Sequence, residues 1–371
     1  MKFEIHVRDT TTRARTGTVE TPHGSYNTPI FMPVGTKAAV KTLAPDDLRA
    51  AGVEIILGNT YHLSLRPGDE SIEKLGGLHK FMAWDRPILT DSGGYQVFSL
   101  AKLRKISDEG VEFRSHLDGA KVFFSPEKVL EIQRRLGSDI WMPLDEPSPY
   151  PCEKSDAQKA AQRTKTWWDR SRQPEDGRGL FGIVQGSIYS DLRKQCVEQM
   201  AENDPPGFSI GGLSMGEPAA ILHEVTDLTA ALLPESKPRY LMGAGTPVDI
   251  VRAVMSGVDM FDCILPTRFG RTGWAFTSVG MVKIRNKIHE FDETPLDPSC
   301  SCPCCTQFSR AYLRHCFHMN EIIGLRMITL HNVYYYMELM RRIRQGVTDG
   351  NLEELLKEVK VTGPPLAGRQ E

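Results

Sequence analysis

Residues 260–266 read MFDCILP, an apolar run that contains one acid, Asp262, and precedes a helical pattern. Apolar runs that end in a polar or glycine-rich turn recur along the chain, beginning at Ile30, Glu54, Pro87, Ile140, Leu180, Gly207, Arg239 and Met260. Helix-like stretches lie between them, such as SPEKVLEIQRRLG, with Ser125 suited to the N-cap and Gly137 to the stop. Strand and helix alternating in this way, without an internal repeat, predict a (β/α)8 TIM barrel, with a doubly wound sheet as the alternative.

Two segments interrupt this alternation. After the third strand, alternating apolar residues around Asp118-Gly119 predict a β-hairpin insertion. After the eighth strand, residues 272–331 contain a cysteine cluster, and a helix is predicted to open at His331. Residues 1–28 predict strands that close the lower mouth of the barrel. Because no linker rich in Pro, Gly or Ser divides the chain, we expect a single catalytic domain of residues 1–371 with a zinc-binding subdomain at 272–331.

The composition is that of a globular enzyme. The chain has 371 residues, of which 40% are hydrophobic and 25% charged, and its net charge is -2. This balance lacks the basic surplus of many nucleic-acid-binding proteins, so a polyanionic partner must meet local basic patches. No apolar run is long enough to span a bilayer, and Met1 to Arg15 does not resemble a signal peptide, which predicts a cytoplasmic protein without membrane contact.

Polar residues at the ends of the predicted strands are candidates for catalysis, because barrel enzymes carry their chemistry at the carboxyl ends of the strands. These residues are Asn59, Asp91, Ser92, Asp145, Gln185, Gly211, Gly212 and Asp262. An ionised carboxylate is costly in an apolar site, so three acids that face one cavity favour catalysis over helix or loop capping. Paired carboxylates without metal-binding histidines indicate chemistry at an anomeric carbon. An acid, a glutamine amide and glycine N–H groups also match the polar edge of a guanine.

The cysteine cluster CSCPCC, residues 300–305, indicates a metal site. Cys300, Cys302 and Cys305 supply three closely spaced thiolates, and His331 supplies a fourth ligand for one tetrahedral zinc ion without an open position. Such a closed site is structural. Cys304 is an alternative to one of the three cysteines, and His315 and His318 compete with His331.

Seven strings in this order resemble the bacterial type of tRNA-guanine transglycosylase. They are TDSGGYQVFSL, FGIVQGS, GGLSMGE, YLMGAGTP, DMFDCILPTR, CSCPCC and SRAYLRH, and the likeness runs from about residue 14 to residue 345. The resemblance implies a (β/α)8 barrel with an inserted zinc subdomain. It also implies exchange of the wobble guanine of queuosine-type tRNAs for a 7-deazaguanine base in the anticodon loop.

The resemblance assigns a role to each matching residue. Asp262 would be the nucleophile that forms a covalent intermediate with the ribose, and Asp91 would be the general acid and base, oriented by Asn59. The incoming base would be bound by Tyr95, Asp145, Gln185, the Gly212 amide, the Leu213 carbonyl and Met242.

The resemblance also points to partners. Arg268 and Arg271 would contact the neighbours of the wobble base, and Lys283, Arg285 and Lys287 add basic residues nearby. A homodimer is predicted through Phe308, Tyr312 and His315, whose spacing places them on one face of a helix.

Two residues depart from the usual bacterial pattern near the expected base pocket. Pro147 stands where a cysteine is common, and Met215 where a valine is usual. Because methionine is bulkier than valine, the expected base is 7-aminomethyl-7-deazaguanine, with the larger queuine as the alternative. A glycoside hydrolase acting on nucleosides would use the same acids, but it would need neither the zinc subdomain nor the basic residues.

Overall fold

The computed structural model of the protein describes residues 1–100, 104–174 and 176–359. In these ranges the strands are β1 Lys2–Arg8, β2 Arg15–Thr21, β3 Gly24–Thr28, β4 Ile30–Gly35, β5 Ile56–Gly58, β6 Ile88–Thr90, β7 Arg104–Ser107, β8 Gly110–Arg114, β9 Lys121–Phe124, β10 Ile140–Trp141, β11 Gly179–Leu180, β12 Gly182–Val184, β13 Phe208–Ile210, β14 Arg239–Leu241, β15 Met260–Cys263, β16 Trp274–Thr277 and β17 Gly280–Lys283. The helices are α1 Pro45–Ala50, α2 Thr60–Leu65, α3 Asp69–Lys74, α4 Gly77–Phe81, α5 Gly94–Leu100, α6 Pro126–Leu136, α7 Lys154–Arg170, α8 Ser190–Ala201, α9 Ala219–Leu232, α10 Pro247–Met255, α11 Leu265–Thr272, α12 Pro303–Gln307, α13 Arg310–Met319, α14 Ile322–Asp349 and α15 Leu352–Glu358, with a 3-10 turn at Lys287–His289.

A ring of parallel strands forms the centre of the fold, in the order β11-β10-β6-β5-β4-β15-β14-β13-β12. The first and last barrel strands pair directly, with Ile30 opposite Met260. The strands β11 and β12 are consecutive in the chain, separated only by Phe181, and each pairs with a different neighbour. They are therefore two halves of one fifth strand. The prediction of a (β/α)8 barrel is confirmed.

The barrel strands are buried on both faces, which explains their continuous apolar sequences. Alternate residues point inward and pack with one another, including Met32, Leu57, Leu89, Ile183 and Met260. Their neighbours point outward into a second apolar cluster shared with the helices, including Phe31, Ile56, Ile88, Val184 and Phe261. The period of two along each strand thus divides the core into an inner and an outer layer.

Helix α6 follows its sequence signals closely. The Ser125 hydroxyl accepts a hydrogen bond from the Lys128 backbone N–H at 3.2 Å and caps the helix. Gly137 ends the helix with a φ of 76°, a left-handed conformation that glycine adopts without strain. The predicted N-cap and stop are confirmed.

An antiparallel sheet of β1, β2 and β3 covers the amino end of the barrel. Arg15 of this sheet donates to both carboxylate oxygens of Asp259, just before β15, at 2.9 and 2.7 Å, and both side chains are buried. His23 contacts Asp139 at 2.7 Å, just before β10, and His79 contacts the other oxygen of Asp139 at 3.1 Å. The predicted strands that close the lower mouth are confirmed.

The insertion after the third barrel strand is larger than predicted. The turn at Asp118-Gly119 joins β8 and β9 as expected, but β7 adds a third antiparallel strand. Its sequence, Arg104–Ser107, lacks the regular polar and apolar alternation that marks a strand, because it lies at the edge of this small sheet and is largely exposed. The predicted hairpin is therefore part of a three-stranded sheet.

The segment after the eighth barrel strand contains α11, the β16–β17 hairpin, α12 and α13. The helix predicted to open at His331 begins at Ile322 instead, so that position was wrong. Its start is set by Asn320, which ends α13 with a φ of 58°, and the apolar sequence from Ile322 onward continues the helix. Among the described residues, none of the helices is both long and apolar enough to cross a bilayer.

Candidate active site and metal centre

The candidate catalytic residues gather at the carboxyl end of the barrel. Each lies in or just after a barrel strand, as the strand assignments predict: Asn59 after β5, Asp91 after β6, Asp145 after β10, Gln185 after β12, Gly211 and Gly212 after β13, Met242 after β14 and Asp262 within β15. In a parallel barrel these strand ends surround one opening. The structure therefore brings together residues as far apart in the sequence as Asn59 and Asp262.

Asp262 is a partly buried carboxylate with two donors on one oxygen. Its Oδ1 accepts from the Tyr240 hydroxyl at 2.5 Å and from the Gly243 backbone N–H at 2.8 Å. Burial, followed by the negative charge of Asp262, raises the pKa of Tyr240 well above its ordinary value. The phenol therefore keeps its proton and donates it. These two donors orient the carboxylate and stabilise its ionised form.

Asp91 is held in place by the turn after the preceding strand. The Asn59 amide donates to its Oδ2, and the Thr60 backbone N–H donates to its Oδ1 at 2.8 Å. Burial raises the pKa of Asp91 to about 6, and the nearby charge of Asp262 acts in the same direction. A carboxyl group with this pKa gains and loses a proton near neutral pH, as a general acid and base must.

Asp145 is a buried carboxylate linked to two polar side chains. Its Oδ1 accepts from the Ser92 hydroxyl at 2.9 Å, and its Oδ2 accepts from the Gln185 amide at 2.8 Å. Burial raises the pKa of Asp145 to about 6. Gly94 packs directly against it, since a Cβ there would lie 2.7 Å from Oδ1. The second glycine of the TDSGG sequence thus makes room for this carboxylate.

Gly212 lies against the Gln185 side chain. Its φ is 65°, and a Cβ at this position would approach the Gln185 Oε1 to 2.3 Å, so only glycine fits. Gln185 is fully buried, and its Oε1 has no hydrogen-bond partner among the described residues. The carboxylate of Asp145, the amide of Gln185 and the backbone at Gly212 therefore form one contiguous polar surface.

The loop after β13 is stabilised by Glu217. Its carboxylate accepts from the backbone N–H groups of Ser214 and Met215, the latter at 2.8 Å. The peptide between Leu213 and Ser214 is trans and planar, so the Leu213 carbonyl is directed opposite to the Ser214 N–H. The Leu213 carbonyl oxygen therefore points away from Glu217. In this direction it can accept a hydrogen bond from a ligand.

The remaining predicted site residues lie in α5, after β14 and in α11. Tyr95 in α5 and Met242 after β14 are both partly buried. Arg268 and Arg271 lie in α11, just after Asp262, and Arg271 donates to the Thr267 carbonyl at 2.9 Å. Burial, with a contribution from Arg268, lowers the pKa of Arg271.

Two of the additional basic residues pack on aromatic rings within the segment after β15. The Lys283 ammonium lies 5.4 Å from the Trp274 ring centroid, and the Arg285 guanidinium lies 5.1 Å from that of Phe317. These cations support the hairpin in addition to any contact with RNA.

The candidate metal centre combines the four predicted ligands. One ligand atom from each of Cys300, Cys302, Cys305 and His331 lies within 4.8 Å of the other three. The His331 Nδ1 is 3.5 Å from the Cys302 Sγ and 3.3 Å from the Cys305 Sγ. A tetrahedral zinc ion separates thiolate and imidazole donors by about 3.5 Å, so this donor set fits zinc.

The imidazole of His331 is oriented by a backbone contact. Its Nε2 lies 2.7 Å from the Phe276 carbonyl oxygen, which requires Nε2 to carry the proton and leaves Nδ1 as the ligand atom. Cys304 is buried but lies outside the group of four, and His315 and His318 are exposed. Cys304, His315 and His318 are therefore not supported as alternative metal ligands.

Comparison with known proteins agrees with this geometry. The sequence model of the family described as queuine tRNA-ribosyltransferase matches residues 9–364. The chain belongs to the queuine tRNA-ribosyltransferase family. Proteins of that name from a Thermoanaerobacter species and from Caldanaerobacter subterraneus are each 53% identical over 361 residues, or 96% of both chains. That of Listeria welshimeri is 50% identical over 362 residues, or 96% of this chain and 95% of its own. Queuine tRNA-ribosyltransferases are pentosyltransferases that exchange a guanine in tRNA for 7-deazaguanine bases.

Several residues of the site were missed by sequence reasoning. Tyr240 and Thr60 each donate to a predicted residue, and Glu217 binds the loop that follows Gly212, but none of the three was among the candidates chosen at the strand ends. The sequence contained a partial signal for Tyr240. This residue occupies an inward-facing, apolar position of β14 but carries a hydroxyl group. Buried tyrosines usually find a hydrogen-bond partner, and the nearest strand carries Asp262.

Proposed function

We propose that this protein exchanges the wobble guanine of queuosine-type tRNAs for 7-aminomethyl-7-deazaguanine through a covalent intermediate on Asp262. The observation that carries the proposal is the Asp262 carboxylate, oriented by two donors at the barrel mouth and close enough to Asp91 to raise its pKa. Membership of the family supports the same reaction.

The two acids divide the chemistry between them. A carboxylate oxygen of Asp262 bonds to the ribose C1′ as the C1′–N9 bond breaks, and guanine leaves with the electron pair and takes a proton from Asp91. In the second half, N9 of the incoming base bonds to C1′, its proton passes to Asp91, and the ester bond to Asp262 breaks. Each residue thereby returns to its starting state.

The polar surface beside Asp262 reads the base. The Asp145 carboxylate accepts from the N1–H and N2–H donors of a guanine-like edge, while the Gln185 amide and the Gly212 N–H donate to the O6 carbonyl. Tyr95 and Met242 bind the faces of the ring. The burial of Asp145 and Gln185 supports this role, because buried polar groups are stabilised when a ligand completes their hydrogen bonds.

The loop after β13 favours a base with an amine. Since the Leu213 carbonyl points away from Glu217, it is available to accept a hydrogen bond from an aminomethyl group. Met215, which lies in this loop, is partly buried, and Pro147, two residues after Asp145, is buried. These features favour the aminomethyl base over the bulkier queuine, which remains the second candidate.

The reaction is tested by exchange of radiolabelled guanine into tRNA that carries a wobble guanine. Candidate deazaguanines are then added one at a time to release the label. Release by 7-aminomethyl-7-deazaguanine at much lower concentration than by queuine supports the proposal, and the reverse order would favour the queuine alternative. Hydrolysis of tRNA or free nucleosides without base exchange would instead indicate a nucleoside-directed glycoside hydrolase.

Base affinity should depend on pH through Asp145. Its pKa of about 6 means that the carboxylate becomes protonated below pH 6 and can no longer accept two hydrogen bonds from the base. We expect the guanine dissociation constant to rise about tenfold per pH unit below 6. The measurement is equilibrium binding in an Asp91→Asn background, which removes the other carboxyl group with a pKa of about 6.

The matched variant for this pH dependence is Asp145→Asn in the same background. It should bind guanine weakly with little change between pH 5 and 8, since an amide does not titrate. A pH profile that is unchanged by Asp145→Asn would assign the titration to another group.

The pH dependence of folding stability has the opposite sign to that of base affinity. The folded state binds the proton on Asp145 more tightly than the unfolded chain does, so this contribution to the free energy of unfolding is lost as pH rises through 6.

The tRNA is held by basic residues around the mouth. Arg268 and Arg271 lie in the first two turns of α11, which begins three residues after Asp262, and this supports a role at the neighbours of the wobble base. The wobble base itself must be turned out of the anticodon loop to reach Asp262. A tRNA substrate also supports a cytoplasmic location.

We assign residues 272–331 as a zinc-binding subdomain within one catalytic domain. The fit of three thiols and one imidazole to a tetrahedral geometry supports zinc as the ion. All four positions are taken by protein ligands, so the ion would stabilise the subdomain and take no part in the reaction.

A homodimer is proposed through the aromatic residues of this subdomain. Phe308 and Tyr312 stack with ring centroids 5.1 Å apart, and Tyr312 is 42% exposed, as expected for a contact surface. Phe308 precedes Ser309, the N-cap of α13, so the three residues do not share one helix face as predicted. The stacking nevertheless brings Phe308 next to Tyr312, and His315 is exposed one turn further on.

Replacing both Phe308 and Tyr312 with alanine should convert the dimer to a monomer, because interface stability is concentrated in such aromatic anchors. Sedimentation at low micromolar concentration, with zinc content measured in parallel, checks this. Phe123→Ala is the matched control, since it removes another exposed aromatic side chain, 48% exposed, from β9 of the inserted sheet and should not affect assembly. Wild-type protein that sediments as a monomer under these conditions would reject the proposal.

A further inference from the structure

Arg193, in the first turn of α8, is a fully buried cation beside the base pocket. Its Nε donates to the Ser187 carbonyl at 2.8 Å, and its Nη1 donates to the carbonyls of Val184 at 3.1 Å and Gly211 at 2.9 Å. Val184 ends β12, and Gly211 directly follows β13. A single guanidinium therefore joins the carboxyl ends of two neighbouring barrel strands.

The residues next to these carbonyls are those that read the base in the proposed function. Gln185 follows Val184, and Gly212 follows Gly211. A Cβ on Gly212 would lie 2.3 Å from the Gln185 Oε1 and 3.8 Å from the Arg193 Nη2. Arg193 therefore lies close behind the polar surface formed by Gln185 and Gly212.

The environment of Arg193 is unusual for a purely structural arginine. Among the described residues no carboxylate lies within ion-pair distance of its guanidinium, the charge of Glu217 acts on it from further away, and its Nη2 has no hydrogen-bond partner. Burial lowers its pKa only to about 10, so it is charged at neutral pH. An unpaired buried charge is costly, and such costs are typical of groups that a functional site uses.

We propose that Arg193 is a positioning residue that sets the separation between Gln185 and the Gly211-Gly212 peptide, and thereby the selectivity for a purine carbonyl edge. The inference rests on the proposed role of Gln185 and Gly212 in base binding. Without Arg193, the carbonyls of Val184 and Gly211 lose their shared donor, which leaves the hydrogen bond from the Gly211 N–H to the Val184 carbonyl, at 3.0 Å, to join the two strand ends. The donors to the base carbonyl then lose their alignment, whereas the tRNA contacts on α11 do not.

Arg239 provides a matched control at the opposite end of the barrel. It is 3% exposed, its Nη2 donates to the Leu233 carbonyl at 2.7 Å, and its Nη1 donates to the Gly257 carbonyl at 3.3 Å. Burial also lowers its pKa to about 10. The same substitution at Arg239 thus removes a buried guanidinium of similar bonding without touching the base pocket.

The experiment compares Arg193→Met, Arg193→Lys and Arg239→Met in guanine exchange with tRNA. For Arg193→Met we expect the KM for guanine to rise about tenfold or more, with the KM for tRNA within about twofold of wild type. Inhibition by 2-aminopurine, which lacks both the carbonyl and the N1–H of guanine and so makes no bond to the Gln185 and Gly212 donors through a carbonyl, should weaken much less, and discrimination between the two purines falls. Arg193→Lys should restore part of the discrimination, and Arg239→Met should preserve all of it.

The inference is overturned if the guanine KM moves no more in Arg193→Met than in Arg239→Met, or if guanine and 2-aminopurine lose affinity in equal proportion. If Arg193→Met does not fold, the test uses Arg193→Lys, in which the ratio of the affinities for guanine and 2-aminopurine is compared with that of the wild type. Failure of the proposed function is distinguishable, since wild-type protein would then show no guanine exchange at all. A Gln185→Ala variant that loses guanine affinity while Arg193→Met retains it would refute the role of Arg193 alone.

Discussion

Asp262→Ala should lower guanine exchange by at least about four orders of magnitude, because removal of a nucleophile leaves only the residual effects of binding and orientation. No other carboxylate takes its place: Asp91 is bonded to Asn59 and Thr60, and Asp145 is bonded to Ser92 and Gln185. Binding of tRNA should change by less than about threefold, since phosphate contacts supply most of that affinity. Exchange of labelled guanine and filter binding of tRNA measure the two quantities separately.

Tyr240→Phe is the informative comparison. It keeps the Asp262 carboxylate and the donor from Gly243 but removes the hydroxyl at 2.5 Å. We expect a loss of about tenfold in exchange, because a charge-assisted hydrogen bond to a carboxylate contributes roughly 1.5 kcal/mol or more. On denaturing gels a covalent protein–RNA adduct should form with Tyr240→Phe and be missing with Asp262→Ala. Exchange by the alanine variant above about one-hundredth of wild type would be incompatible with covalent catalysis by Asp262.

The barrel was predictable because its strands are buried on both faces and separated by helices, some of which, such as α6 and α10, begin at a side-chain cap. Runs such as IFMPVG coincide with β4, and the cap of α6 at Ser125 is determined by local sequence. The division of the fifth strand at Phe181 was not predictable, since it depends on pairing with two different neighbours. The start of α14 was predicted at the metal ligand His331, whereas the helix begins at Ile322, just after the end of α13.

The site was predictable only to the extent that strand ends identify it. Asp91, Asp145 and Asp262 interrupt or follow apolar runs, and this position is visible in the sequence. The partners that position the site residues are not visible in the sequence, because Tyr240 lies in another strand and Arg193 in a helix, and tertiary packing brings each of them to the site. From the sequence alone, an arginine in a helix is predicted to be exposed, and only the structure shows that Arg193 is buried against backbone carbonyls.

The second large effect is expected at the metal centre. Cys302→Ser should remove the ion, because serine does not supply a thiolate and a tetrahedral site loses one of four ligands. Structural zinc contributes roughly 10 kcal/mol of apparent binding free energy, so the subdomain should unfold locally when the ion is lost. Metal analysis should change from one zinc per chain to none, and limited proteolysis should cut the segment near the cysteines.

The barrel itself should survive this substitution, because its core of inward-facing residues is separate from the cysteines. Cys304→Ser is the matched control: it makes the same chemical change two residues away at another fully buried cysteine that lies outside the ligand group. It should retain the zinc and resist proteolysis, with at most the small loss expected when a hydroxyl replaces a buried thiol. Since His331 also bonds to the Phe276 carbonyl, loss of the ion should loosen the β16–β17 hairpin as well. Zinc that is lost in Cys304→Ser but retained in Cys302→Ser would require a different ligand set, with Cys304 in the place of Cys302.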